Sequence, residues 1–269
     1  MSYSHSELLA VMAARQLGGV ASVFAGVGIP LLSAVLAQKT HAPDLTIVVE
    51  GGTIGPQILP GRLPISTNEM RGAYRAQMLP GITDTFLFAQ RGFLDVGFVG
   101  GAQIDRYGNL NSSVVGPYRT PRIRLPGSGG ANDIISLCRR VMVVTMHERR
   151  RFVPKVDFVT SPGFLDGGDS RRKSGLIFGR ISRIVTNLGI MGFDDQTKLV
   201  RLESLNPGVS VKEVTENTGF DLLIPERIPV TEPPQEFELT LLRSLDPDRK
   251  FLRADGSPAV SKRKDNKPD

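Results

Sequence analysis

Apolar residues recur along this chain in two rhythms, and the alternation between them sets out its elements. Over residues 4–16, Leu8, Leu9, Val11 and Met12 fall at helical spacing, with Ser6 as the expected N-cap and Gly18-Gly19 as the stop. The same spacing predicts helices over 31–38, 83–91, 132–138, 211–218 and 237–245. Short runs rich in β-branched residues predict strands over 20–24, 46–49, 96–99, 141–145, 181–185, 199–202 and 220–224. Residues 103–111, QIDRYGNLN, have the Asp, Tyr-Gly and Asn content of a hairpin turn. Pro and Gly make 52–64 an irregular loop, 161–176 reads as a flexible polar loop, and 225–234 as an extended proline-rich exit.

Three of these elements meet at glycine-bearing turns: Gly26-Val27-Gly28, Gly51-Gly52 and Gly127-Ser128-Gly129-Gly130. Strand, glycine loop and helix in repetition indicate an α/β fold, an open and mostly parallel sheet flanked by helices. Ligands of such sheets bind beyond the carboxyl ends of the strands, where all three turns are expected. Residues 1–250 are expected to form one domain and 251–269, RADGSPAVSKRKDNKPD after Phe251-Leu252, a polar disordered tail.

Composition narrows the class. Hydrophobic residues at 40% and charged residues at 22% suit a soluble globular protein. No apolar run approaches the roughly 20 residues of a membrane span, and the N-terminal stretch reads as an amphipathic helix, not a secretory signal. A single cysteine, Cys138, allows no intrachain disulfide, so a reducing cytoplasm is the expected compartment. The net charge of +6 is dispersed over Arg119/Arg122/Arg124, Arg149-Arg150-Arg151, Arg171-Arg172-Lys173 and Lys262-Arg263-Lys264. Without interleaved aromatics these clusters do not form a nucleic-acid stripe; they suit solvated loops, an acidic partner surface or a ligand carrying several phosphates.

The common catalytic motifs are missing. The three histidines, His5, His41 and His147, have no ligand-spaced partners, so no metal site is expected. No G-x-S-x-G elbow occurs, and no Gly-Lys-Ser/Thr follows Ser128 to complete a P-loop. The turn at 26–28 lacks the third glycine of a dinucleotide fingerprint, although a strand, glycine loop and helix can still hold an anion. Cys138 reads as a core thiol. There remains Glu50, in Thr46-Ile47-Val48-Val49-Glu50-Gly51-Gly52, a carboxylate at a strand end among glycine amides. Such a group serves as a general base or as a nucleophile. Attack on a thioester would form an acyl-glutamyl anhydride, with N–H donors from glycines such as 51–52 and 127–130 holding the oxyanion.

Three motifs in one order carry a resemblance over about residues 8–245. Phe24-Ala25-Gly26-Val27-Gly28-Ile29-Pro30 resembles a G-[IV]-G-x-P turn. Val49-Glu50-Gly51-Gly52 stands at an S-E-[NSG]-G nucleophile. The segments 101–111 and 126–133 resemble G-A-x-Q-V-D-x-x-G-N-L-x-N and P-G-x-G-G-A-x-D. The chain is thereby similar to the β (B) subunits of family I coenzyme A transferases, closest to the glutaconate CoA-transferase-like branch, whose fold is the CoA-transferase / NagB-RpiA-like one. The resemblance implies a CoA thioester as substrate, a ping-pong exchange through a glutamyl-CoA thioester on Glu50, and a separately encoded homologous α subunit in an α₂β₂ or larger assembly. It implies an acyl-CoA donor and a carboxylic or dicarboxylic acid acceptor. Asn109 or Asn111 with Gly129 and Gly130 would be the oxyanion-stabilising and CoA-contacting groups. Gln103 is retained, and Gly26, Gly28, Gly51, Gly52 and Gly127 complete the candidate set. Val49 stands where the family usually has serine, and Ser128 and Asn132 replace its commoner methionines. Two other readings fit the superfamily: a CoA-ester or ring-cleaving hydrolase of steroid degradation, whose β-subunit glutamate is not kept, and a non-catalytic ligand-sensing subunit.

Overall fold

A computed structural model describes residues 2–253. The strands are β1 (Ser22–Phe24), β2 (Thr46–Val49), β3 (Thr53–Ile54), β4 (Val96–Val99), β5 (Gln103–Ile104), β6 (Leu110–Asn111), β7 (Val114–Val115), β8 (Ile123–Arg124), β9 (Arg140–Val144), β10 (Ile181–Val185), β11 (Gly189–Phe193) and β12 (Val200–Leu205). The helices are α1 (His5–Arg15), α2 (Ile29–Lys39), α3 (Ile82–Gln90), α4 (Ala131–Leu137), α5 (Ser170–Lys173), α6 (Val211–Glu216) and α7 (Glu236–Leu245). Eight strands make one sheet in the order β12-β11-β10-β9-β4-β1-β2-β3. The five from β10 to β2 run parallel, as the sequence predicts, while β3, β11 and β12 pair antiparallel.

Period-two alternation decides the layers. Val23, Ile47, Val49, Phe98 and Met142 face one way, into a core closed by α1, α2 and α7. Phe24, Val48, Val99, Val141 and Val143 face the other way, against residues of α3, α4 and α6. Runs that are apolar at every position are therefore buried on both faces, as parallel strands require.

From β1 the chain adds β2 on one side and then returns to add β4 on the other. That reversal is the topological switch point, the usual ligand-binding end of such a sheet. Gly26 to Gly28 leaves the sheet there: Ala25 N–H donates to Val48 O at 2.9 Å, which sets this loop beside the turn that follows β2.

Several expectations need correction. The cap of α1 is Ser4, not Ser6: its hydroxyl accepts from Glu7 N–H, and the Glu7 carboxylate accepts from Ser4 N–H. This is the Ser-x-x-Glu capping box. Residues 220–224 form no strand. Leu223 makes only an isolated bridge to Arg201 along β12, whose other edge is taken by β11, a strand the glycines at 189 and 192 conceal in the sequence. The 161–176 segment is an ordered cap. It contains α5, and Arg171, 5% exposed, donates to the carbonyl oxygens of Pro162, Gly163, Gly179, Ile135 and Phe178. At the other end, Leu252 is buried and Phe251 packs on Gly28, so the folded part runs past 250. The expected tail from 254 onward lies outside the described residues.

Candidate functional site

Glu50 occupies the second position of a β-turn, Val49 to Gly52, closed by Gly52 N–H to Val49 O at 3.0 Å. The turn joins β2 to the antiparallel β3, and Gly52 takes φ +96°, which suits glycine at the end of a three-residue hairpin loop. Two backbone segments seat directly on it. A Cβ on Gly51 would collide with Thr67 O and Asn68 Oδ1, and one on Gly52 with Pro80 O. Both glycines are thus required by close approach. This corrects the picture of Gly52 as an open donor, since its N–H is engaged in the turn; the Gly51 N–H has no acceptor among the described residues.

The Glu50 side chain is half-buried and lies against the third glycine loop. A Cβ on Gly130 would sit 2.8 Å from Glu50 Oε1 and 2.9 Å from its Cδ, and 2.7 Å from Phe86 Cζ. Phe86, on α3, stacks on Phe24 of β1 with centroids 5.5 Å apart. A carboxylate, a glycine backbone and an aromatic ring, far apart in sequence, therefore meet at one point. Sequence reasoning misses Phe86; its signal is only an aromatic placed one turn inside a helix whose buried positions, Thr85 and Ala89, flank it.

Gly127 and Gly129 hold left-handed φ values of +98° and +49°, and no atom lies within 4 Å of where their Cβ atoms would be. The loop is open. Gly127 N–H is engaged with Ser112 O, but the amides of Ser128, Gly129 and Gly130 have no acceptor among the described residues. Successive N–H groups in such a turn form a concavity for an anion. The amides of Gly26 and Gly28 are likewise without an acceptor among the described residues.

The amide side chains are a different matter. Asn109 Nδ2 donates to the Asp105 carboxylate and to Leu165 O, while its Oδ1 accepts from Gly163 and Leu165 N–H. Asn111 Nδ2 donates to Gln103 Oε1 and Val114 O at 2.6 Å each. Gln103 Nε2 in turn donates to Asp157. All three side chains are buried. Neither asparagine has an N–H left for an oxyanion, so both are corrected from donors to braces. They fix the β5-β6 hairpin and, through Val114 O, the start of β7. Burial raises the Asp105 carboxyl above its ordinary range, opposed by its hydrogen bonds from Asn109 and Tyr107.

Other titratable candidates stand apart. His147 is buried, stacked on Phe152 at 3.9 Å, and bridges Thr186 and Thr218 hydroxyls; burial pushes it down to about 3. Cys138 is fully buried against Gly97 and pushed up to about 12, a core thiol as expected. No cluster of three His, Cys, Asp or Glu suited to a metal occurs among the described residues. A 660 Å³ cavity lined by Lys39, Asp44 and Arg75 lies at the far end of β2 and includes none of the candidate residues.

Residues 7–217 match the Coenzyme A transferase family. The B subunit of 3-oxoadipate CoA-transferase from Pseudomonas knackmussii is 39% identical over 91% of this chain and 94% of that one. The B subunit of glutaconate CoA-transferase from Acidaminococcus fermentans is 35% identical over 94% of this chain and 96% of that one. The crystal structure of that enzyme superposes with a TM-score of 0.87, covering 94% of this chain and 98% of the other. A cholesterol ring-cleaving hydrolase IpdB subunit from Rhodococcus jostii is 30% identical over 84% of this chain and 89% of that one.

Proposed function

Because this chain belongs to the coenzyme A transferase family, as the B subunit of such an enzyme, we propose that Glu50 is the nucleophile of a CoA transfer between an acyl-CoA and a free carboxylic acid. The Glu50 carboxylate attacks the thioester carbonyl, and the tetrahedral oxyanion collapses by expelling the CoA thiolate. An acyl-glutamyl anhydride results. The thiolate then attacks the Glu50 carbonyl, releasing the donor's acid and leaving a glutamyl-CoA thioester. The acceptor carboxylate attacks that thioester, the thiolate leaves again and adds to the acceptor's acyl carbon, and Glu50 is regenerated with the new acyl-CoA.

One observation carries this reading: Glu50 Oε1 lies against Gly130, in a loop where the amides of Ser128, Gly129 and Gly130 have no acceptor among the described residues. Amides held in such a loop could donate to the developing oxyanion without reorganising as the reaction proceeds. A second subunit is part of the proposal, as the subunit naming of the relatives implies. In support, the segment over the Gly51-Gly52 turn exposes the apolar side chains of Ile65, Met70, Met78 and Leu79, which a partner subunit would cover. The relatives' substrates, 3-oxoadipate and glutaconate, are dicarboxylic, and a short dicarboxylic acid is the acceptor class we assign. The hydrolase reading is less favoured, because the steroid-degradation hydrolases it resembles do not keep the β-subunit glutamate that stands here at position 50.

The test is Glu50→Gln in the complex reconstituted with its A subunit. The amide is isosteric with the carboxylate but not nucleophilic, so transfer should fall by roughly 10⁴-fold or more while the complex still assembles. Transfer that survives would remove the nucleophile assignment, and acid release from acyl-CoA without any acceptor would favour hydrolysis.

A further inference from the structure

The four basic clusters seen in the sequence have different fates. Arg150 and Arg151 pair with Glu148, Arg149 donates to backbone carbonyls of Glu216 and Thr218, and Arg171 is the buried brace of the 161–176 cap. The fourth, Lys262 to Lys264, lies outside the described residues. Only Arg119, Arg122 and Arg124 stand together, exposed and without an ion pair among the described residues.

They sit on the β7-β8 hairpin, an arm that leads straight into the glycine loop. Leu125 N–H donates to Ser113 O and Gly127 N–H to Ser112 O, so the arm's two rails stay paired down to that loop. Arg124 and Gly130 are six positions apart, which places them within about 20 Å of each other. Between Asp105 and Asp133 the chain carries four arginines and no carboxylate. Asp157, the acid beside the hairpin's loop, is already held by Gly116 N–H and Gln103. The arm is also stiffened. Arg124 lies over the Tyr118 ring at 5.2 Å and donates to Tyr118 O, and Tyr118 stacks on Phe158 at 5.2 Å and 26°. Arg122 is tied through its own N–H to Val115 O at 2.9 Å.

Resting on the transferase reading, we propose that this arm binds the phosphates of CoA's nucleotide end. The thiol end lies at the glycine loop beside Glu50, and the pantetheine chain spans the distance between the two. Guanidinium groups with free donors match phosphate oxygens in pairs, and an arm held by stacking loses little freedom when it engages them. A polyanion, not a single carboxylate, is the ligand that three unpaired arginines on one short hairpin fit.

The probe is adenosine 3′,5′-bisphosphate, the nucleotide end without the pantetheine chain, used as an inhibitor of the reconstituted A–B complex. Arg119→Ala, Arg122→Ala and Arg124→Ala should each weaken its inhibition by about two- to fivefold, the upper part of an exposed charge contact's range. The KM for acyl-CoA should rise in parallel, while the KM for an acyl-pantetheine, which has no nucleotide, should not. Arg119→Lys should recover part of the loss. Unchanged bisphosphate inhibition in variants that assemble normally would overturn the inference. So would loss of A-subunit assembly at full bisphosphate affinity, since the arm would then meet an acidic partner surface. If the wild-type complex moves no CoA but binds the bisphosphate in an arginine-dependent way, the transferase reading falls and this site stands. If it moves CoA and is indifferent to the arginines, only this site falls.

Discussion

The side chain of Glu50 and the missing side chain of Gly130 define each other. With Oε1 2.8 Å from where a Cβ would stand, Gly130→Ala leaves the carboxylate no room in its present position. Displacing a reacting group by about 1 Å costs on the order of 10²-fold in rate. Gly130→Ala should therefore lower kcat by about that factor with the fold intact by circular dichroism; wild-type kcat would count against Glu50 as the reacting group in this position. Val49, which replaces the family's usual serine, is 2% exposed and faces the α1, α2 and α7 layer, whereas the Glu50 carboxyl meets Phe86 and Gly130 of the opposite layer. A hydroxyl at 49 would point away from the reacting group.

Among the elements, legibility follows the range of the forces involved. Thr46–Val49 and Val96–Val99 declare themselves because burial on both faces demands apolar residues at every position. The turn after Val49 declares itself because only glycines tolerate the contacts at 51 and 52. Tertiary hydrogen bonds leave no such periodic mark. Arg171 reads as one charge in a basic run, yet its guanidinium ties α4's carboxyl end to loops at 162–163 and 178–179, and burial lowers it to about 10. Asn109 and Asn111 are legible as special residues, but not as braces, because a motif does not reveal which donors are already engaged. Arg171→Met removes five hydrogen bonds to carbonyl oxygens, those to Gly163 and Ile135 fully buried. The loss should exceed about 3 kcal/mol, read as a fall in the urea midpoint. A shift within about 0.5 kcal/mol would mean that water replaces the guanidinium freely.

For the molecule as a whole, His147 couples stability to pH. It is held neutral in the folded chain, at about 3, while in the unfolded chain it titrates near 6.5. The folded state binds fewer protons between those values, so its stability is full above about 6.5 and falls as pH drops through the window, by about 1.4 kcal/mol per unit. Urea unfolding at pH 7 and pH 5 should differ by about 2 kcal/mol more in the wild type than in His147→Gln. Equal pH slopes in the two proteins would place the effect elsewhere. The histidine lies just beyond the carboxyl end of β9, on the same end of the sheet as Glu50, yet it is sealed in the core. Acid sensitivity of the fold and the chemistry of the site are thus separate properties.

The central claim is that Glu50 becomes covalently acylated by its substrate during turnover. Incubating the A–B complex with acyl-CoA, trapping with borohydride or hydroxylamine and mapping the B chain by peptide mass spectrometry tests this directly. A nucleophilic Glu50 predicts one modified peptide, the one containing Thr46-Ile47-Val48-Val49-Glu50-Gly51-Gly52, with the modification on Glu50 and dependent on acyl-CoA. An unmodified Glu50 in a complex that is turning over, or a modification on another residue, would contradict it.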